Sequence, residues 1–341
     1  MRCILTSLLS VLLLGAPCVY GSSPMPTAAV QVMEGRAQGT TYNIRYLGAP
    51  GKDLHAQVDQ LLKDFDKVFS NYRPDSDISR FNAQDSLEWF PVATELAELV
   101  QFSLDVSKKS EGAFDITIGA LIKEWGFGPW KTKQHVIPSQ SAIDAAKARG
   151  GWQNLDVRLK PPALRKKVTG LLVDLSGVAQ GHAVDRVAQL LLSQGVNSFM
   201  VELGGEVITR GQKEGGQDWR IAIEAPQAER GEVVLVIAPR GQGLATSGDY
   251  RAYFEEKGKR YSHIIDPRRG RPIEHKLASV SVLAKTCTDA DAYAKVFMVL
   301  GPEEAERLAE RLKMPVFLIS HQGAKDFTSK NLGGFERYIA P

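Results

Sequence analysis

GLATSGDYRAYFEEKGKRYSHIIDPRRGRPIEH, residues 243–275, carries the fold reading of this chain. It opens with small residues and a turn at Ala245-Thr246-Ser247-Gly248-Asp249. An alternating run over residues 251–255 passes through Lys257-Gly258 into a second short run over 260–265. Two such runs about a glycine turn predict a β-hairpin. Asp266-Pro267 and Gly270-Arg271-Pro272 close it. Thr246, Ser247, His263 and Asp266 crowd its ends, and polar groups on a rigid scaffold can meet a phosphate or a nucleophile.

Outward from the hairpin, residues 32–46 read as strands. Val58, Leu61, Leu62, Phe65 and Val68 recur at helical spacing and predict a helix over 54–69. Further helices are expected over 93–110, 139–148 with Ser139 as N-cap, 178–194, 289–300 and 303–312. Residues 126–132 read as a loop. Strands are expected over 171–175, 198–202, 233–238 and 316–320. Helices and strands intermix without strict βαβ alternation, which predicts one α+β unit with antiparallel sheet.

Of the 341 residues, 43% are hydrophobic and 24% charged, an ordinary globular composition. A net charge of +3 gives no reason to expect nucleic acid as a partner. Heptads, low-complexity tracts and internal repeats are absent from the sequence. Arg2, an apolar run over 4–14 too short to span a bilayer, and Val19-Tyr20-Gly21 before Ser22 predict a cleaved signal peptide over 1–21. A flexible lead-in over 22–31 follows. Cys18 admits a lipoprotein reading, but Pro17 fits a lipobox poorly, so cleavage near Gly21 is preferred to lipid anchoring. Cleavage would leave Cys287 alone, without an internal disulfide, and a buried packing role is favoured over a reactive thiol.

Several short segments could carry chemistry, each with a plainer structural use. Asp174 through Gly181, DLSGVAQG, leaves a strand and enters a helix through two glycines. Close backbone approach and free N–H groups suit an anion there, and a plain turn suits equally well. Gly112-Ala113-Phe114-Asp115 follows a helix, and Phe114 is at least as much a core residue as a site residue. Tyr72 lies in a loop, where an aromatic can stack on a flat ring or sit on the surface. Asp291, near a helix start, suits the helix dipole as well as a cation. His263 is a candidate base or phosphate contact, although a lone hairpin histidine is more often structural.

Taken together and in order, the blocks are Gly39-Thr40-Thr41-Tyr42, YRPDSDISRFN over 72–82, Gly112-Ala113-Phe114-Asp115, DLSGVAQGHAVD over 174–185, Leu203-Gly204-Gly205-Glu206, the 243–275 stretch and Ala290-Asp291-Ala292. Their succession resembles the FAD:protein FMN transferases, the ApbE-type flavin transferases, over residues 32–338, and the domain is expected over 32–341. The resemblance implies a T-fold-like architecture and transfer of FMN from FAD to a threonine or serine hydroxyl of a partner protein, with release of AMP. It implies flavin-nucleotide contacts at Gln38, Tyr72, Ala113, Phe114, Asp115, Asp174, Gln180, Thr246, Ser247 and Ile265, with the last three on one surface. It implies Mg²⁺ held by Asp291, the Gly177 carbonyl and the Ala294 region. It points to a membrane-associated redox subunit facing the periplasm as the acceptor.

Two positions depart from the family pattern. Gln38 stands where methionine is usual, and Lys295 where a threonine ligand is usual, one helical turn from Asp291. A lysine ammonium has no lone pair to give a metal. Either Lys295 pairs with Asp291 and replaces or weakens the metal site, or it swings away and the metal keeps Asp291, the Gly177 carbonyl and the Ala294 region; retained but altered metal use is the preferred expectation. Asp291, Lys295 and His263 are the expected catalytic groups, with Asp266 an alternative base. Two other activities stay open: FAD binding or delivery with little or no transfer, and FAD hydrolysis to FMN and AMP.

Overall fold

The computed structural model describes residues 29–51, 53–130, 137–226, 232–250, 253–256, 258–323 and 326–341. The expected leader over 1–21, most of the lead-in and parts of the expected 126–132 loop and hairpin lie outside those residues.

Eight strands form one antiparallel sheet in strict chain order: β1 (Gln31–Ala37), β2 (Thr40–Leu47), β3 (Ser198–Leu203), β4 (Glu206–Arg210), β5 (Gly243–Gly248), β6 (Leu277–Ala284), β7 (Val316–His321) and β8 (Phe327–Leu332). Each connection either turns tightly or carries an insertion. The β1–β2 turn is Gln38-Gly39, both at positive φ, 52° and 74°, the geometry that two-residue hairpins favour. Residues 48–197, between β2 and β3, hold most of the helices: α1 (Leu54–Phe69), α2 (Asp77–Ala83), α3 (Thr94–Lys109), α4 (Gly119–Glu124), α5 (Gln140–Ala148) and α6 (Ala179–Ser193). Between β6 and β7 come α7 (Cys287–Leu300) and α8 (Pro302–Leu312). The α+β organisation expected from the sequence holds.

Alternation along the strands sends side chains to two faces. One face, with Ile44, Val201, Ala245, Val280 and Val282, packs on α1, α3, α6, α7 and α8. The other, with Val207, Leu244, Leu283, Phe317 and Ile319, packs on Ile223 and Ile237 of a two-stranded ribbon and on Phe335. β6 is buried at all eight residues because both its faces are covered. Its sequence LASVSVLA shows no solvent side, so alternation gave no signal there.

The 243–275 stretch divides. Its first part is not the expected turn but β5, held in mid-sheet between β4 and β6. The hairpin itself is present, with Tyr253–Glu256 paired to Lys259–Ser262. It packs with Trp125, Ile143 and Ile265 in a small satellite core, and the Trp125 indole N–H donates to the Gly270 carbonyl at 3.0 Å. Ser139 caps α5 as expected, accepting from the Ala142 N–H at 3.2 Å.

The strand expected over 171–175 is not one. Leu171, Val173 and Leu175 are fully buried, but side-chain amides satisfy the backbone groups at Val173 and Leu175. Asn82 accepts from the Val173 N–H and donates to its carbonyl, both at 2.8 Å. Asn71 also donates to the Val173 carbonyl, at 2.8 Å, and accepts from the Leu175 N–H at 3.2 Å. An isolated parallel bridge to Ile118, with the Gly119 N–H donating to the Leu172 carbonyl at 3.1 Å and the Asp174 N–H to the Ile116 carbonyl at 2.7 Å, completes the pairing. The run therefore meets its hydrogen-bonding needs through two asparagines and one short backbone contact rather than an extended ladder. No helix among the described residues is long and apolar enough to cross a membrane.

Candidate active site

The site lies where α6 and α7 pack against β5. Gly181, in the first turn of α6, lets the two helices approach. A Cβ there would fall on the Cys287 carbonyl oxygen and 2.8 Å from the Asp291 Cβ. In that contact the Gly181 N–H donates to Asp291 Oδ2 at 3.0 Å. From the other side Asp185 accepts from the Cys287 and Thr288 N–H groups, both at 2.8 Å, and from the Thr288 hydroxyl at 2.6 Å. Two aspartates thus lock the helices in reciprocal fashion. Burial pushes the Asp185 carboxyl above the ordinary carboxylate range, partly offset by these donors. Cys287 is fully buried and burial pushes its thiol well up, so it packs rather than reacts.

Asp291 is only 1% exposed. Its remaining oxygen, Oδ1, faces the Lys295 ammonium at 3.4 Å, one turn along α7. The same ammonium donates to Ser247 Oγ on β5 at 2.8 Å. Of the two outcomes expected for Lys295, the structure has the pairing with Asp291. Gly177 borders this group: a Cβ there would stand 3.2 Å from the Phe114 ring and 3.4 Å from Lys295 Cγ. Three separate sequence blocks, at 112–115, 174–181 and 290–295, therefore meet beside a fourth, at 243–248.

The flanks hold the other expected residues. Ala113 and Phe114 are buried, and Gly112, at φ 79°, makes the turn that brings them in. Asp115 is spent locally. Its carboxylate accepts from the Thr117 N–H at 2.8 Å, the Thr117 hydroxyl at 2.7 Å and the Trp152 N–H at 2.9 Å. Asp174 accepts from the Ser176 N–H at 2.9 Å and from its hydroxyl. Burial pushes both Asp115 and Asp174 up. Tyr72 is 71% exposed on its loop, and partial desolvation followed by the nearby Asp174 charge pushes its phenol up. The Gln180 amide lies against Gly204, where a Cβ would fall on it. The Gln38 amide nitrogen is buried without a hydrogen-bond partner.

Some expected residues are used differently. Thr246 and Ser247 do not share a surface. As strand neighbours they point to opposite faces; Ser247 meets Lys295, while Thr246 Oγ1 lies 2.8 Å from Ser281 Oγ on the ribbon side. Ile265 is buried in the satellite core, leaving only its backbone to meet a ligand. Ala294 has a fully buried side chain and lies mid-helix, its carbonyl within the helical ladder, so it offers a cation no oxygen. Asp266 is forked by Arg268, which donates from Nε and Nη2, each at 3.0 Å, and from its backbone N–H at 2.9 Å. With both oxygens so engaged Asp266 is a poor base. His263 stands edge-on to Phe127, ring centroids 6.4 Å apart.

Among known proteins, the model of the ApbE family matches residues 38–318. This chain belongs to the ApbE family. The FAD:protein FMN transferase of Vibrio cholerae is 41% identical over 309 residues, 89% of this chain and 92% of that one. The FAD:protein FMN transferase of Escherichia coli is 40% identical over 324 residues, 93% and 92% of the two chains. The solved structure of the flavin transferase ApbE from Vibrio cholerae superposes with a TM-score of 0.83, covering 91% of this chain and 99% of that one at 39% identity. The apo flavinyl transferase ApbE of Pseudomonas stutzeri gives 0.84, covering 92% and 97% at 39% identity.

The ApbE resemblance implies Mg²⁺ at Asp291, and the donors can be tested for it. Mg²⁺ demands hard oxygens in near-octahedral array. No three His, Cys, Asp or Glu side chains converge on a metal position among the described residues. One Asp291 oxygen is spent on Gly181, and the other, like Ser247 Oγ, faces the Lys295 ammonium. These residues do not fit a divalent ion while Lys295 stands there.

Proposed function

We propose that this chain transfers FMN from FAD to a threonine or serine hydroxyl of a partner protein. The observation that carries the reading is the convergence of a buried carboxylate, a partly exposed ammonium and a strand hydroxyl beside the Gly177 turn, in a chain of the ApbE family. An ammonium fixed by two protein oxygens is suited to the pyrophosphate of FAD, whose charge must be met as the phosphorus is attacked.

In the reaction the acceptor oxygen forms a bond to the FMN-side phosphorus. The bond from that phosphorus to the bridging oxygen breaks, and AMP departs with the oxygen. The hydroxyl proton passes to a base, for which His263 remains the candidate once Asp266 is committed to Arg268. Lys295 meets the phosphate oxygens, Asp291 and Ser247 aim it, and in-line placement of the acceptor supplies much of the rate. The Phe114–Gly177 wall and the exposed Tyr72 ring suit the flat parts of the nucleotide. Asp174, Gln180 and Gln38 suit its polar edges, together with backbone groups of Ala113, Asp115, Thr246 and Ile265.

A cleaved leader over 1–21 would place the enzyme in the periplasm, and the acceptor would be a membrane-associated redox subunit facing that compartment. The test is incubation of the purified protein with FAD and a peptide bearing an acceptor threonine. Expected are a peptide carrying FMN and one AMP per adduct. FMN and AMP formed without any adduct would show hydrolysis instead, and tight FAD binding with neither product would show a carrier.

A further inference from the structure

We infer that Lys295 is the resident counter-cation of the transfer site, so that this chain performs its reaction without a bound divalent ion. The inference deepens the transferase reading and rests on it. Its basis is the local geometry. Asp291, almost wholly buried, needs a cationic partner, and the Lys295 ammonium faces its Oδ1 at 3.4 Å. Ser247 Oγ, at 2.8 Å, takes a second N–H. A lysine ammonium has three donors, and no third protein partner is present among the described residues. The Lys295 side chain is 27% exposed, so the remaining N–H is open to a phosphate oxygen.

A divalent ion would have to share Asp291 Oδ1 and Ser247 Oγ with a positive charge already on them. Two cations around one carboxylate oxygen repel strongly in a partly buried site. The carboxylate–ammonium pair is neutral overall, one unit less positive than a carboxylate with a divalent ion. What it offers in return is a charge fixed before substrate arrives, with no dependence on metal supply.

The deciding experiment titrates Mn²⁺, as a spectroscopic stand-in for Mg²⁺, into the full chain without FAD and follows free Mn²⁺ by electron paramagnetic resonance. The wild type should show no saturable site. Lys295→Thr, which removes the ammonium and adds a hydroxyl oxygen, should bind one Mn²⁺ per chain. In transfer assays, a chelator should change the wild-type rate less than about 2-fold but lower that of Lys295→Thr by at least ~10-fold, and Lys295→Met should lose ~10²-fold with or without added metal. Stoichiometric Mn²⁺ binding by the wild type, with transfer abolished by chelator, would overturn the inference. If the wild type makes no FMN adduct under any condition, the transferase reading fails, whereas the Mn²⁺ titration still decides what holds the Asp291 oxygen.

Discussion

The first two turns of α7 each exchange an aspartate with α6, and the two aspartates are used in opposite ways. Asp185 meets three protein donors at the helix start. Asp291 meets one backbone donor and keeps its second oxygen for a partly exposed ammonium. Both are buried, so burial does not separate them. What differs is how many lone pairs the protein has already used. A carboxylate saturated by backbone donors holds the helices, and one that shares a cation with the solvent side is available for chemistry.

The sharpest way to break this distinction is to neutralise each aspartate in turn. Asp291→Asn keeps an oxygen for the Gly181 N–H and removes the charge. Transfer should fall ~10²–10³-fold, the scale of losing one preorganised charge contact, with little change in melting temperature. Asp185→Ala should do the reverse, costing about 3 kcal/mol through a lost cap and orphaned donors and leaving the rate per folded molecule unchanged. Thermal melts alongside single-turnover assays separate the two. Loss of transfer by Asp185→Ala, well below its melting temperature, would show both residues to be catalytic supports.

Gly181→Ala strikes both turns at once. Its Cβ would meet the Cys287 carbonyl and the Asp291 Cβ, so α6 and α7 must separate. Overpacking of this kind costs about 1–3 kcal/mol, and shifting Asp291 should lower transfer as well. A variant with wild-type melting and turnover would mean that the seam is less rigid than its contacts imply.

The comparison sharpens further on β5. Ser247→Ala removes one of the two oxygens that aim Lys295 and should slow transfer ~10-fold, about 1.4 kcal/mol. Thr246→Val, one residue away on the other face, loses only the pairing with Ser281. It should cost up to ~1 kcal/mol of stability and leave turnover intact. Equal effects on turnover would mean that the strand alternation does not decide which hydroxyl serves the site.

These tests also mark what the sequence could show. The helices were legible because apolar spacing and caps are local. α1 was expected over 54–69 and spans Leu54–Phe69, and the Ser139 cap is where a serine before an apolar run should be. β5 and β6 were not legible. The small residues of ATSGD resemble a turn, and only burial between two neighbouring strands makes them a strand. The 171–175 run is buried, as its apolar residues predict, but it is no strand, because it makes a single isolated bridge to Ile118 and is otherwise held by two asparagines about a hundred residues earlier. At the site, the departure at Lys295 could be read from the family pattern, and Asp291 as its partner from a spacing of four. Ser247 as the second partner could not, since it depends on how α7 crosses β5. Gly181 and Asp185 carry only a weak signal in the sequence, a glycine and an acid four residues apart on one helix, which by itself is common.

Asp174 carries the smallest effect, and it tests whether an unsaturated buried carboxylate costs stability. Its Oδ1 accepts from Ser176, but burial still pushes its carboxyl above the ordinary range. The folded state therefore holds the proton more tightly than the unfolded chain. Between the ordinary carboxylate value of about 4 and the higher folded value, the native state binds more protons. Stability from this group consequently falls as pH rises through that window and stays lower above it. Asp174→Asn retains an acceptor for Ser176 and cannot ionise, so it should melt higher than the wild type at pH 7, with the gap closing near and below pH ~4. If Asp174 also accepts a hydroxyl of the flavin nucleotide, the same variant should bind FAD more weakly while standing up better to heat. A melting difference that does not vary with pH would show that the Asp174 charge carries no penalty in the fold, and that saturation by donors is not what separates the structural carboxylates from the chemical one.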